Sequence, residues 1–281
     1  MGVIRSKEDV SEQLGTNQIC GVFPQMKNSS IYFNGQNNIL FCEEGVQLSD
    51  TFLLFNGNHS VIYLGKNKHE YKLGVTVYHH SVFHMGRDNY INGKMNIILS
   101  EQKHCFIGDN GLYSGGIWMR NADPHLIYNC TEGKRINPTK SIYIGDHVWI
   151  GQSAMILKGT QIDSGSIVGA MSVAAGKKIL HNTSWAGNPV RQVASDIFWD
   201  GACVHAWGDK QTEDSLDYGQ FVDNYRKGCD KEAFVFQYDA QESIGYDELE
   251  QTFSAKITPE EKVAYLKKLH SKVRKNRFVH E

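Results

Sequence analysis

The stretch Ser141–Gly176, SIYIGDHVWIGQSAMILKGTQIDSGSIVGAMSVAAG, keeps a period of six. Ile144, Ile150, Ile156, Ile162, Val168 and Ala174 are all aliphatic, and Gly145, Gly151 and Gly169 directly follow three of them. Two positions before each later aliphatic residue stands a small or β-branched one: Val148, Ala154, Thr160, Ser166 and Ser172. A helix of 3.6 residues per turn cannot keep one face apolar at that spacing, so the pattern is a hexapeptide repeat. Its geometry is a triangular solenoid in which each hexad supplies one short strand and one corner. Three hexads close a coil of about eighteen residues, so Ile144 stacks on Ile162 and Ile150 on Val168. The aliphatic side chain fills the prism, the small one fits the tight interior beside it, and glycine or a polar residue turns the corner. Successive coils pair in parallel about 4.8 Å apart, which gives each backbone donor an acceptor one coil away.

Working outward, a spacing of six recurs between Val46 and Phe52, Leu48 and Leu54, Val77 and Phe83, Ile91 and Ile97, and Ile107 and Tyr113. These runs predict worn coils of the same prism. The fold expected is mainly β, a left-handed parallel β-helix over residues 31–194. Residues 1–30 read as an N-terminal arm with some helix, and 195–281 as a mixed, helical C-terminal extension. Between Gly115 and Lys140 the repeat disappears, and GGIWMRNADPHLIYNCTEGKRINPTK is too polar to lie inside a prism. It must loop out, and a long loop on a rigid scaffold is where chemistry is expected.

The chain has 281 residues and a formal net charge of -2, with 41% hydrophobic and 21% charged residues, an ordinary globular balance that gives no bulk attraction to nucleic acid. No apolar run is long enough for a transmembrane segment, and the opening MGVIRSKEDVSEQLG lacks a signal-peptide core, so a cytoplasmic protein is expected, at most peripheral to the inner face of the membrane. Cys20, Cys42, Cys105, Cys130, Cys203 and Cys229 show no CxxC spacing, which suits reduced thiols. Near the C-terminus Thr258, Pro259 and Glu261 form a helix start, followed by Val263, Leu266, Leu269 and Val273 at helical spacing. Lys272, Arg274, Lys275 and Arg277 complement the far end of its dipole and read as a solvated terminus, or as a contact for an anionic surface.

Within the looped-out segment His125 is the candidate catalytic residue, since imidazole can take a hydroxyl proton near neutral pH. In extended backbone, residues two apart point the same way, so Asp123 is placed to orient it.

The segment resembles the hexapeptide-repeat acetyltransferases, the left-handed β-helix group that includes galactoside, maltose and xenobiotic acetyltransferases and the O-acetyltransferases of bacterial surface polysaccharides. The matching residues are Asp123-x-His125-x-Ile127, then Ile144 to Gly151 (IGDHVWIG), Ile156 to Gly159, Val168-Gly169-Ala170 and Gly187-Asn188-Pro189. Asn129 stands where relatives often have an acid, and Met171 where glycine is usual. The resemblance implies an acetyl-CoA-dependent O-acetyltransferase acting on a sugar hydroxyl of a surface glycan, in capsule or lipopolysaccharide, with no metal. It implies His125 as general base and Trp149 lining the thiol end of the cosubstrate with its indole N–H as donor. Gln152 and Ala170 would meet the pantetheine arm, and Lys177 and Arg191 the nucleotide phosphates, with Lys158 and Lys178 as further phosphate candidates. It also implies a homotrimer with active sites between subunits. Trp118, Tyr128 and Trp199 are candidates to stack on sugar rings, and Arg120, Lys134 and Arg135 to meet a sialic acid carboxylate.

Three other readings stay open at this level. Amino-sugar N-acetylation is the runner-up. A zinc hydratase of the γ-carbonic-anhydrase kind shares the prism, and His79 and His84 have an H-x4-H spacing, with His80 and His104 nearby. A prism can also serve as a rigid spacer. Cys130 as an acetyl-carrying nucleophile is disfavoured, because only Lys134 and Arg135 would lower its pKa.

Overall fold

A computed structural model of the chain describes residues 3–10, 14–226, 243–256, 258–269 and 276–278. Short strands stack into a prism with three faces. The first and second faces are eight-stranded sheets, and the third is six-stranded, preceded by a two-stranded sheet. All neighbours pair in parallel except at two ends, where Val3–Ile4 runs antiparallel to Ser30–Phe33 and Arg191–Ala194 folds back on Ser184–Ala186. The fold is the parallel β-helix that the hexads predicted. Ile144, Ile150, Ile156, Ile162, Val168 and Ala174 are all buried in one continuous apolar column.

The early coils differ from the late ones in size. Leu53 pairs with Val75 and Val75 with Ile97, each 22 residues on, whereas Ile156 pairs with Ala174 after 18. An early coil has strands of 5, 4 and 2 residues on the three faces (Leu73–Val77, Val82–Met85, Tyr90–Ile91). In a late coil Met155–Leu157, Gln161–Ile162 and Ile167–Val168 have 3, 2 and 2. The four extra residues thus lengthen the first two faces by two each. Spacing of six joins two interior positions for Val77 and Phe83, Ile91 and Ile97, and Ile107 and Tyr113. Val46 and Leu48 are interior but Phe52 and Leu54 point outward and are half-buried, so those two pairs do not mark hexads.

The prism also begins earlier than residue 31. Gln18–Gly21 pairs in parallel with Ile39–Cys42, and Gln25–Lys27 with Gln47–Ser49. These strands cap the stack, so their side chains are exposed or half-buried and carry little apolar signal.

Burial patterns show what covers each face. First-face strands alternate, as in Leu73–Val77, so only their inner side is buried. Second-face strands such as Ile39–Cys42, Val61–Leu64 and Val82–Met85 are buried on both sides. Their outward residues form an aromatic stack, Phe41 on Tyr63 (4.7 Å), Tyr63 by His84 (5.1 Å) and His84 on Phe106 (4.3 Å). Helices Tyr246–Ala255 and Pro259–Lys268 cover it with Tyr246, Leu249, Phe253, Val263 and Leu266, a second core outside the prism. The second of these helices has the predicted start: Thr258 and Glu261 form a reciprocal capping box with Pro259 in the first turn. Val273, Lys272, Arg274 and Lys275 lie outside the described residues, as does Cys229. Arg277 corrects the solvated-terminus reading: it is 3% exposed, and its guanidinium grips Asp146 through Nε (2.8 Å) and Nη2 (2.6 Å). Asp146 is fully buried, so the pair exchanges two desolvated charges for several charge-assisted bonds. No helix among the described residues is long and apolar enough to cross a membrane.

Candidate active site

The loop between the first-face strand Trp118–Arg120 and the second-face strand Ile142–Ile144 leaves the prism at the edge joining those faces. Its residues from Asp123 to Lys134 are exposed, His125 and Cys130 among them. Buried Asn137 shapes it. The Asn137 side chain donates to the His125 carbonyl (2.8 Å) and to Asp123 (3.2 Å), and accepts from the Ile127 amide (3.0 Å). Glu101 fastens the returning strand, receiving Arg135 through both carboxylate oxygens and the Thr139 hydroxyl. These bonds, led by Arg135, hold the Glu101 carboxyl at about 2. Neither Asn137 nor Glu101 stood out in the sequence; a polar residue that organises a loop leaves no periodic signal.

Asp123 does not meet His125. Its carboxylate is bound by Lys158 and Asn137, and the Lys158 ammonium holds it below the usual carboxylate range. The expected roles of both residues are thereby corrected: Asp123 anchors the loop to the prism through Lys158, and Lys158 is occupied by a carboxylate. Arg135, a candidate for a sugar carboxylate, is likewise held by Glu101. A cavity of about 300 Å³ lies under the loop, between Tyr78, Glu101, Arg120, Asp123, Pro124 and Arg135.

Trp149 lies elsewhere, on the third-face strand Trp149–Ile150, with 38% of its surface exposed. Gln152 and Ala170 are exposed at the edge where the third face turns back to the first, joined by the Met171 amide donating to the Gln152 carbonyl (2.8 Å). Exposed Arg191 is on the strand folded back along the third face. Lys177 and Lys178 sit at the other edge, above Lys158. The predicted residues therefore fall into two sets, His125, Asp123, Lys158, Lys177 and Lys178 along one edge and Trp149, Gln152, Ala170 and Arg191 along or beside another. Among the described residues no hydrogen bond or ring contact joins His125 to Trp149. Lys177, Lys178 and Arg191 have no ion-pair partner there, so the donor set suits a polyanionic nucleotide.

Trp199 is not available to a sugar. It is 7% exposed and stacks on His147 at 3.8 Å, donating its indole N–H to the His147 carbonyl (3.0 Å) while its own carbonyl meets the His147 ring (3.0 Å). Burial pushes the His147 imidazole pKa down. Trp118 and Tyr128 remain exposed. The H-x4-H pair is put to other uses: His79 accepts from the Asn58 amide (3.1 Å), while His84 lies in the aromatic stack. Among the described residues no three His, Cys, Asp or Glu side chains gather as a metal site.

No model of a known protein family matches the chain. It is similar to a polysialic acid O-acetyltransferase of Neisseria meningitidis, 28% identical over 126 residues, 44% of this chain and 58% of that protein. It is also similar to a putative lipopolysaccharide biosynthesis O-acetyl transferase of Escherichia coli, WbbJ, 33% identical over 38% of this chain and 47% of that one. The chain spans 33–58% of the length of the curated relatives it matches. Among solved structures, that of the polySia-specific acetyltransferase NeuO superimposes with a TM-score of 0.63 at 24% identity, covering 75% of this chain and 94% of that one. That of the polysialic acid O-acetyltransferase OatWY gives 0.52 at 22% identity, over 68% and 94%. The fold is that of the left-handed β-helix acetyltransferases. The relatives matched in sequence are named as O-acetyltransferases of polysialic acid, lipopolysaccharide or galactosides.

Proposed function

We propose that the protein transfers an acetyl group from acetyl-CoA to a sugar hydroxyl of a surface glycan, in a site completed by two copies of the chain in a homotrimer. The division of the candidate residues between two prism edges carries this reading. One edge of the prism presents a base without the indole, and another the indole without the base; prisms set side by side bring unlike edges together.

In such a site the His125 imidazole accepts the acceptor hydroxyl's proton as that oxygen attacks the thioester carbonyl. The Trp149 indole N–H and backbone amides donate to the oxyanion that forms. When the carbon–sulfur bond breaks, the CoA thiolate leaves and the proton on His125 passes to it. Gln152 and the open corner at Ala170 receive the pantetheine arm, and Arg191, Lys177 and Lys178 the phosphates. Cys130 stays outside the reaction, since no cation among the described residues pairs with it to activate the thiol.

The names of the relatives favour an acidic surface glycan as acceptor. Incubation with acetyl-CoA and polysialic acid or lipopolysaccharide should release CoA thiol and add 42 Da per ester, about the mass of one acetyl in place of hydrogen, removable by mild alkali. An added acetyl that survives alkali would mark an amide and support N-acetylation instead, and no transfer to any glycan would refute the proposal.

A further inference from the structure

A cavity of about 440 Å³ opens between the C-terminal helices and the prism, at the turn Glu101–His104 that leads from the first face to the second. Helix residues Phe253, Ser254, Lys256 and Lys262 form its other side. Two of its lining groups are buried and incompletely paired. Lys262 is 2% exposed, and its ammonium donates to the His80 carbonyl (2.9 Å) and has no carboxylate partner among the described residues. His104 is also 2% exposed. Its Nδ1 accepts from the Val82 amide (3.2 Å), so a neutral ring carries its proton on Nε2, and that Nε2 has no partner among the described residues. Burial drives the imidazole down to about 3 and the ammonium down to about 8, so near neutral pH the ring is a neutral donor and the lysine is charged.

Of the other charged residues lining the cavity, two are in ion pairs and one lies over an aromatic ring. Lys103 is paired with Glu250, Glu101 with Arg135, and Lys256 lies over the Tyr265 ring (5.6 Å). A buried cation without a carboxylate and an orphan buried donor, both among the residues lining one cavity, are costly unless an acceptor reaches them. We propose that this cavity binds an oxyanion, a carboxylate or a phosphate, held by the Lys262 ammonium and the Nε2–H of His104. A sugar acid and a free or esterified phosphate are the two sources with that chemistry. The site is separate from the acetyl-transfer residues, and the inference does not depend on that reaction.

The test uses the full-length protein at pH 7 with sodium phosphate and with N-acetylneuraminate, against chloride at equal ionic strength. Each anion is titrated while the His104 Nε2–H resonance and the thermal midpoint are followed. A saturable shift of that resonance with a rising midpoint is expected for at least one probe, and the probe that saturates at lower concentration identifies the source. Lys262→Met keeps the aliphatic packing and should weaken binding roughly tenfold or more. His104→Phe keeps the ring contact with Phe253 (5.0 Å) and should also weaken it. A His104 resonance unmoved by both anions, or wild-type affinity in Lys262→Met, would overturn the proposal.

Discussion

Coils that begin near Ser30 and coils that begin near Ile142 stack in the same sheets, yet they bury opposite amounts of their outer surface. The early coils are 21 or 22 residues long, and on the second face they carry Phe41, Tyr63, His84 and Phe106 outward under two helices. The late coils are 18 residues long and leave Trp149, Met155, Met171 and Leu180 exposed. Strict hexads go with less cladding: the late coils rest mainly on the interior column, with outside contacts at Tyr143, Asp146 and His147. The long, clad coils add a second core that covers most of that face. Structural anchoring and candidate chemistry are therefore assigned to different parts of one prism.

The largest difference should appear in turnover. His125→Ala, in the exposed loop, is expected to lower it roughly 10²- to 10⁴-fold while leaving acetyl-CoA affinity nearly unchanged, because a base acts in the transition state. CoA-thiol release and donor binding, measured on the same preparation, check the split. The clad region should respond in stability instead. Phe106→Ala removes a ring stacked on His84 and tilted against Phe278, and is expected to cost about 3–5 kcal/mol in urea unfolding. Val193→Ala, on the bare edge strand, should stay within about 0.5 kcal/mol.

Acid should loosen the cladding before the prism. Burial pushes the Glu250 carboxyl up, but bonds from Lys103, Ser141 and Tyr143 overcome it and hold it at about 2. A depressed carboxyl contributes stability above its ordinary value near 4.5, and that contribution is lost as pH falls towards 2. Amides of helix Tyr246–Ala255 should then exchange faster than those of Ile142–Ile144. Lys262 has the opposite dependence. With its ammonium at about 8 in the folded chain and near 10.5 in the unfolded one, the unfolded state binds more protons between these values. Stability relative to Lys262→Met should therefore rise with pH across that window. The smallest effect is expected at Gln152, where alanine should weaken acetyl-CoA by about 0.5–1.5 kcal/mol without changing the unfolding midpoint. Cys130→Ala should keep most of the activity.

The late coils were legible because six-residue spacing, small residues and glycines agree there. The early coils were only partly so: outward aromatics on a covered face mimic interior positions, and a spacing of six between Val46 and Phe52 joins an inner residue to an outer one. The informative signal was the 21- to 22-residue interval of Phe41, Tyr63, His84 and Phe106, which marks one outward column. Gln18–Gly21 was missed because an end strand buries little. At the site, His125 was singled out by its place in the looped-out segment and Trp149 by resemblance, and both lie exposed. The partners of Asp123 and Trp199 were not found, since Lys158 and His147 meet them only through folding, 35 and 52 residues away in sequence.

A site split between two copies is tested most directly by mixing chains. His125→Ala and Trp149→Ala are prepared separately, each with low activity, then unfolded together and refolded as mixed assemblies. If His125 of one copy works against Trp149 of the next, some interfaces in the mixture contain both residues, and CoA-thiol release should rise well above that of either variant alone. If both residues serve within one chain, no chain in the mixture holds an intact pair. Activity that stays at the level of the separate variants would contradict the split site.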